Sequence, residues 1–159
     1  MAHREGIREY LKDVQVHGLV YDWGCGVKPI KNYLTSNQAT FINIDKVKHV
    51  NPDYVKDIEE LDCVVVNADA DFAFCLEVIE HTWNPKQVAQ NIYNNLKTGG
   101  VLYLSQPFLY PVHKEDDRIR FTHHGLRQLL EEVGFKVLDI HPTVGDLDHA
   151  EGYIVKAVK

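Results

Sequence analysis

The chain has 159 residues, 45% of them apolar and 25% charged, which fits one domain of about 100–200 residues that folds without covalent staples. Its formal net charge of −6 disfavours a general nucleic-acid partner, because a polyanion recruits basic surface. Its longest apolar run, Phe72 to Leu76, is far short of the roughly 20 residues of a membrane span, and no membrane partner is expected. The opening residues lack an apolar signal core, and the three cysteines (Cys25, Cys63, Cys75) form no CxxC pair. A cytoplasmic chain is therefore expected, with 1–159 acting as one domain.

The predicted elements alternate in type along the chain. Ile7, Tyr10, Leu11 and Val14 fall at helical spacing, and Gly18–Asp22 reads as a short apolar strand ending in an acid. Pro29 is placed to open a helix running to about Leu34. Strands are expected over Phe41–Ile44, weakly over Asp53–Lys56, and strongly over Phe72–Leu76. Cys63–Val66 reads either as an early start of the following strand or as a small hairpin. Val88, Ile92 and Leu96 space a helix that Gly99-Gly100 stops, and a strand follows over Val101–Leu104. Thr122 is placed to cap a helix striped by Leu126, Leu129, Leu130 and Val133, with Gly134 as its stop. Phe135–Ile140 and Tyr153–Val158 close the chain as two strands with no helix between them.

This alternation predicts an α/β, Rossmann-like fold: a seven-stranded, mostly parallel sheet with helices on both faces and an antiparallel C-terminal edge hairpin.

The segment Val20-Tyr-Asp-Trp-Gly-Cys-Gly-Val-Lys-Pro29 carries the first chemistry. A strand runs into a tight turn where glycines let the backbone bend and a flat ligand approach. Twenty-one residues beyond Gly24, Asp45 ends the next predicted strand. An acid at that spacing can hydrogen-bond both hydroxyls of a ribose. The third glycine of the dinucleotide fingerprint is missing, since Lys28-Pro29 stands there, and Asp22 repels a phosphate while accepting an ammonium. A ribose-bearing, cationic, phosphate-free ligand fits these residues better than NAD, and S-adenosylmethionine is such a ligand.

Tyr21-Asp-Trp-Gly-Cys-Gly26, Ile42-Asn-Ile-Asp45, Lys56–Leu61, Cys75-Leu-Glu-Val-Ile-Glu-His81 and Leu96-Lys-Thr-Gly-Gly100 resemble, in order, the motifs of class I S-adenosylmethionine-dependent methyltransferases. The resemblance is greatest to a small bacterial-type, methyltransferase-11-like branch, through Gly24–Pro29, Pro107–His113, Arg120-Phe-Thr122 and Gly125–Leu130. Lys28 departs from the wider family, where many members carry a third glycine. The resemblance implies methyl transfer to an unidentified acceptor by in-line displacement, with S-adenosylmethionine as cofactor. It places Asp22, Gly24, Cys25 and Gly26 around the methionine end, with Leu76 and Glu77 flanking it. It places Asp45 on the ribose, Lys46 beside the adenine edge, Asp57 on the adenine amino group, and Ile58 against the ring. The plain alternative for Asp57 is a helix N-cap.

If the segment after Leu76 is helical, Glu77, Glu80 and His81 share one face, and with His113 they could hold a divalent cation. The Glu-x-x-Glu-His spacing resembles metal-binding ubiquinone-biosynthesis and small-RNA 2′-O-methyltransferases, although similar tripeptides occur in members without metal. No metal is therefore assigned. Should the acceptor lose a proton early, His81 and His113 are the candidate catalytic bases. Tyr110, His113 and Arg120 are candidate acceptor contacts, with pairing of Arg120 to Asp116 or Asp117 as the alternative. No Asn/Asp-Pro-Pro-aromatic sequence occurs, which disfavours exocyclic amines of bases as acceptors. The competing readings are a non-catalytic nucleoside-binding module, a nicotinamide-dependent oxidoreductase and a metal-dependent RNA 2′-O-methyltransferase-like enzyme.

Overall fold

The computed structural model describes residues 2–34, 36, 38–65 and 68–159. Helix α1 (Ala2–Leu11) precedes strand β1 (Gly18–Trp23), which is followed by β2 (Ala39–Asp45), β3 (Tyr54–Val55) and β4 (Ala70–Leu76). Helix α2 (Pro85–Asn95), strand β5 (Leu96–Pro107), helix α3 (His123–Val133) and strands β6 (Lys136–Pro142) and β7 (Gly152–Val158) complete the order. The seven strands form one sheet in the order β3-β2-β1-β4-β5-β7-β6. β1 pairs parallel with β2 on one side and β4 on the other, with Trp23 beside Ile44 and Cys75. β7 runs antiparallel to both β5 and β6.

Period-two alternation sorts the strand side chains into two cores. Tyr21, Trp23, Ala73, Cys75, Leu102 and Leu104 face one way, against Ile92 of α2 and Leu126 and Leu130 of α3. Val20, Phe72, Phe74, Tyr103 and Ile154 face the other way, against Ile7 and Leu11 of α1. Phe74 and Tyr103 stack across β4 and β5 with ring centroids 5.2 Å apart, an arrangement contributing about 0.5–1.5 kcal/mol beyond burial.

The chain leaves β1 toward β2 in one direction and reaches β4 in the other. That reversal opens a crevice at the carboxyl ends of β1 and β4, where ligands of open parallel sheets bind.

Three expectations change. The helix expected from Pro29 is a single 3-10 turn, Ile30–Asn32, and Pro29 itself is extended (ψ 154°) rather than helical. The helix expected to reach Leu96 ends at Asn95, and β5 starts directly, with a register shift against β4 between Leu96 and Val101. Cys63–Val65 forms neither a strand nor a hairpin, and Val66 lies outside the described residues. The stretch is held instead by buried Asn95 of α2, which accepts from Val65 N–H and donates to the Cys63 carbonyl.

Thr122 caps α3 as expected, its hydroxyl accepting from Gly125 N–H at 3.1 Å, and Gly134 closes the helix at φ 115°.

Candidate functional site

Strand β1 ends at the Gly24–Gly26 turn. Gly24 N–H and Cys25 N–H both donate to the Ile44 carbonyl, which ties the turn to β2. The two glycines have different reasons to be there. Gly24 has φ 69°, and a Cβ at that position would lie 2.3 Å from a Val78 methyl, so the loop packs tightly on the end of β4. Gly26 has φ 54° and faces open space, with nothing within 4 Å of where its Cβ would be.

That open space belongs to a cavity of about 560 Å³. Gly24, Cys25, Gly26, Asp45, Lys46, Asp57, Ile58 and Glu77 line it, which brings together eight of the ten residues expected to bind the cofactor. Asp22 and Leu76 instead line an adjoining cavity of about 390 Å³ between α1 and the Ile30–Asn32 turn.

Asp45 organises the first cavity. Its Oδ2 accepts from Gly26 N–H at 2.9 Å and its Oδ1 from Val47 N–H at 2.8 Å. One lone-pair direction per oxygen remains, enough for two hydroxyls. Asp57 caps a turn rather than a helix, accepting from Glu59 N–H at 3.0 Å, with Lys46 Nζ 3.9 Å from its other oxygen. Ile58 is buried beneath this turn, and its carbonyl is held by Asn91 of α2 at 2.6 Å. Burial raises the Cys25 thiol to about 12, so it is no thiolate nucleophile.

Asp22 is buried and its carboxylate accepts from Ile30 N–H at 2.7 Å. Loss of water pushes it up to about 7 from its ordinary value of 3.8, against the lowering effect of that hydrogen bond. A pyrophosphate needs a helix N-terminus with free N–H groups after the glycine turn. Here the helix is one 3-10 turn, and its first N–H is already held by an acid. The residues fit a cationic, phosphate-free ligand and do not fit a dinucleotide.

Glu77 does not share a helical face with Glu80 and His81. It adopts φ 58°, a left-handed backbone that turns the chain out of β4, and the helical turn comprises only Ile79–His81. Its Oε1 accepts from Ser105 Oγ at 2.9 Å and lies 3.0 Å from His3 Nε2. His3, buried on α1, also meets Thr143 Oγ1 at 2.6 Å. The four-residue cluster expected from spacing therefore reduces to three.

Glu80, His81 and His113 place ligand-type atoms within 4.8 Å of one another. Glu80 is fully buried, and neither carboxylate oxygen has a hydrogen-bond partner. Burial, then the charge of Glu77, pushes its pKa up. His81 lines the first cavity; its Nδ1 lies 3.2 Å from an Asp116 carboxylate oxygen and its Nε2 3.7 Å from Glu80. His113 stands behind His81, with ring centroids 5.3 Å apart, and its Nδ1 is 2.9 Å from Asp117. Only His81 of the two candidate bases reaches the cavity wall.

Tyr110 and Arg120 do not line the cavity either. Arg120 grips Asp117 through both terminal nitrogens and holds its carboxyl down, at about 2. Lys114 and Asp116 of the same loop do reach the cavity, as do Arg4 from α1 and Thr82. Sequence spacing contained no signal for Arg4, His3 or Val78, which meet the site only through the fold.

A family model described as a methyltransferase domain matches residues 4–140. The chain belongs to this methyltransferase family. Its fold is that of S-adenosylmethionine-dependent methyltransferases. No curated protein matches the sequence. Among solved structures, an S-adenosylmethionine-dependent methyltransferase from Mesorhizobium loti superposes with a TM-score of 0.77 at 14% identity, covering 100% of this chain and 98% of that one. The 1,6-didemethyltoxoflavin-N1-methyltransferase from Burkholderia thailandensis, solved with its substrate and S-adenosylhomocysteine, gives 0.72 at 16% identity, covering 99% and 78%. The cyclase SpnF gives 0.76 at 14% identity, covering 99% and 80%. These likenesses are of fold. A cyclase on the same frame shows why the reaction of a methyltransferase must be argued from its site.

Proposed function

We propose that residues 1–159 act as one cytoplasmic domain whose first cavity holds the adenosine part of S-adenosylmethionine for transfer to a small or locally exposed acceptor. The observation that carries this reading is the pair of acids around the glycine turn: Asp45, with lone pairs to spare, and Asp22, set on the N–H that a pyrophosphate would need. Asp45 takes the ribose hydroxyls, Asp57 and Lys46 frame the adenine edge, and Ile58 supplies an apolar surface to the ring. Asp22, Leu76 and Glu77 surround the methionine end beside the Gly24–Gly26 backbone.

The cofactor supplies a methyl group on cationic sulfur, whose departure leaves a neutral thioether. The protein's share is placement and exclusion of water. His81 is the base for an acceptor that must lose a proton. An Nδ1–H donated to Asp116 leaves the lone pair of Nε2, which lies 3.7 Å from Glu80, to receive that proton. His113, paired with Asp117, backs the His81 ring from outside the cavity wall. No described helix is long and apolar enough to cross a membrane, in keeping with the proposed location.

Thermal unfolding with S-adenosylhomocysteine and with NAD tests the reading. The first is expected to raise the melting temperature, since a ligand of the native state stabilises it, and NAD is expected to leave it unchanged. A rise with NAD alone would overturn the assignment.

A second reading of the acceptor side rests on Glu80. A buried carboxylate without a hydrogen-bond partner is costly, and a divalent cation shared with His81 and His113 would satisfy it. Such a cation would lower the pKa of an acceptor hydroxyl, replacing His81 as a base. Calorimetric titration with Mn²⁺ and Zn²⁺, repeated on Glu80→Gln, decides it: binding lost in the variant supports the cation, and no binding to the native protein excludes it.

A further inference from the structure

The adjoining cavity of about 390 Å³ has a wall that the cofactor reading does not use. Ile7, Leu11 and Ile30 are buried and line it, giving it an apolar floor between α1 and the Ile30–Asn32 turn. Arg4, Arg8, Lys12 and Lys28 line the same cavity and are all exposed, so its solvent end is cationic. The two acids on its wall are less accessible. Asp22 is buried and held by Ile30 N–H, and Glu77 is half-buried and held by Ser105 and His3.

Arg4, Arg8 and Lys12 stand four residues apart, the spacing that puts side chains on one helical face, and Ile7 and Leu11 directly precede the second and third of them. This edge of α1 is apolar where it is buried and cationic where it meets water. Glu5 and Glu9, one position on, do not line the cavity. Arg8 rests over the Tyr33 ring at 5.0 Å, and Lys12 pairs with Glu9, an exposed pair too weak to withhold it from a ligand. In a chain of net charge −6, these cations give one opening a local field of the opposite sign.

Buried apolar side chains beneath a basic rim match a molecule with an apolar body and an anionic end. We propose that this cavity seats the methyl acceptor and that the acceptor is an apolar carboxylate, its body on Ile7, Leu11 and Ile30 and its charged end among Arg8, Lys12 and Lys28. This rests on the cofactor reading above and names the acceptor class. Long basic side chains suit such a rim, since their stems lie along apolar surface while their heads stay in water. The volume falls in the lower part of the range of about 300–1,000 Å³ for small-molecule sites. Gly24, Cys25 and Glu77 belong to the walls of both cavities, so a molecule with its anion at the rim turns its other end to the cofactor. A nucleophilic atom at that end forms the bond to the methyl carbon. The electron pair of the breaking C–S bond stays on sulfur, and a proton on the nucleophile leaves to the base.

Calorimetry with octanoate tests the proposal against three probes: acetate lacks the apolar body, 1-octanol lacks the charge, and octylammonium reverses it. The native protein, saturated with S-adenosylhomocysteine, is expected to bind octanoate at least about tenfold more tightly than any of the three. The double variant Arg8→Gln, Lys12→Gln should lower octanoate affinity about tenfold and keep S-adenosylhomocysteine affinity within about twofold. Lys136→Gln, on β6, should leave both affinities unchanged. Octanoate binding that S-adenosylhomocysteine abolishes would overturn the proposal, because the cavity would then be the cofactor's own. No octanoate binding, equal affinity for any of the three probes, or a double variant with native affinity would likewise overturn it. A native protein that binds octanoate but not S-adenosylhomocysteine overturns the cofactor reading and the acceptor role with it, and leaves the anion site standing.

Discussion

Asp45 has two duties at once. It pins the glycine turn through Gly26 N–H and its own strand exit through Val47 N–H, and it offers its remaining lone pairs to a ribose. Asp45→Ala should therefore weaken S-adenosylhomocysteine binding by about 1–3 kcal/mol, read by calorimetry. An unchanged affinity would refute the ribose assignment. The glycine turn makes a sharper distinction. Gly24→Val places a Cβ 2.3 Å from Val78 and in a left-handed backbone, so it should lower both stability and ligand affinity. Gly26→Ala meets no atom and carries only the strain of its positive φ, about 1 kcal/mol, so its folding should survive. Melting temperatures of the two variants check the contrast. The need for glycine at Gly24 was visible in the sequence, but its cause was not: the contact is with Val78, which spacing does not bring near it.

At the scale of elements, apolar runs and helix stops carried most of the fold. β1, β4 and α3 lie where their patterns put them, because buried parallel strands need continuous apolar runs and α3 has both its cap and its glycine. Thr122→Ala removes one N-cap hydrogen bond and should cost about 1 kcal/mol in denaturant unfolding, with activity unaffected. Elsewhere long-range contacts overrode the local pattern. Pro29 opens no α-helix: its backbone is extended, and the one 3-10 turn that follows, Ile30–Asn32, is tied by its first N–H to a carboxylate on β1. Glu77 sits in a left-handed backbone, and nothing in Cys75–His81 announces that, so a helical face was read where a turn exists. The His3–Glu77 contact joins residues 74 apart, a separation that leaves no periodic trace.

The whole molecule responds to pH through its buried acids. The Asp22 carboxyl sits at about 7 in the folded chain and near 3.8 when exposed, so the native state holds a proton that the unfolded state releases. Its contribution to stability is full below about pH 4 and is lost as pH rises through 7. Asp22→Asn keeps an acceptor for Ile30 N–H and removes the titration. Between pH 4 and 8 the native protein should therefore lose up to about 4 kcal/mol more than the variant, measured by urea unfolding at each pH. A parallel pH dependence in the two proteins would place the titration elsewhere.

The sheet order has a consequence for how the chain is made. Among the described residues β6 joins the sheet only through β7, and β7 follows it in sequence. A nascent chain emerging from the ribosome thus presents β6 with no partner, and β5 with one bare edge, until residues 152–158 arrive. During that interval Val101–Leu104 is a template for pairing with another polypeptide, the circumstance in which a chaperone holding the segment would matter most.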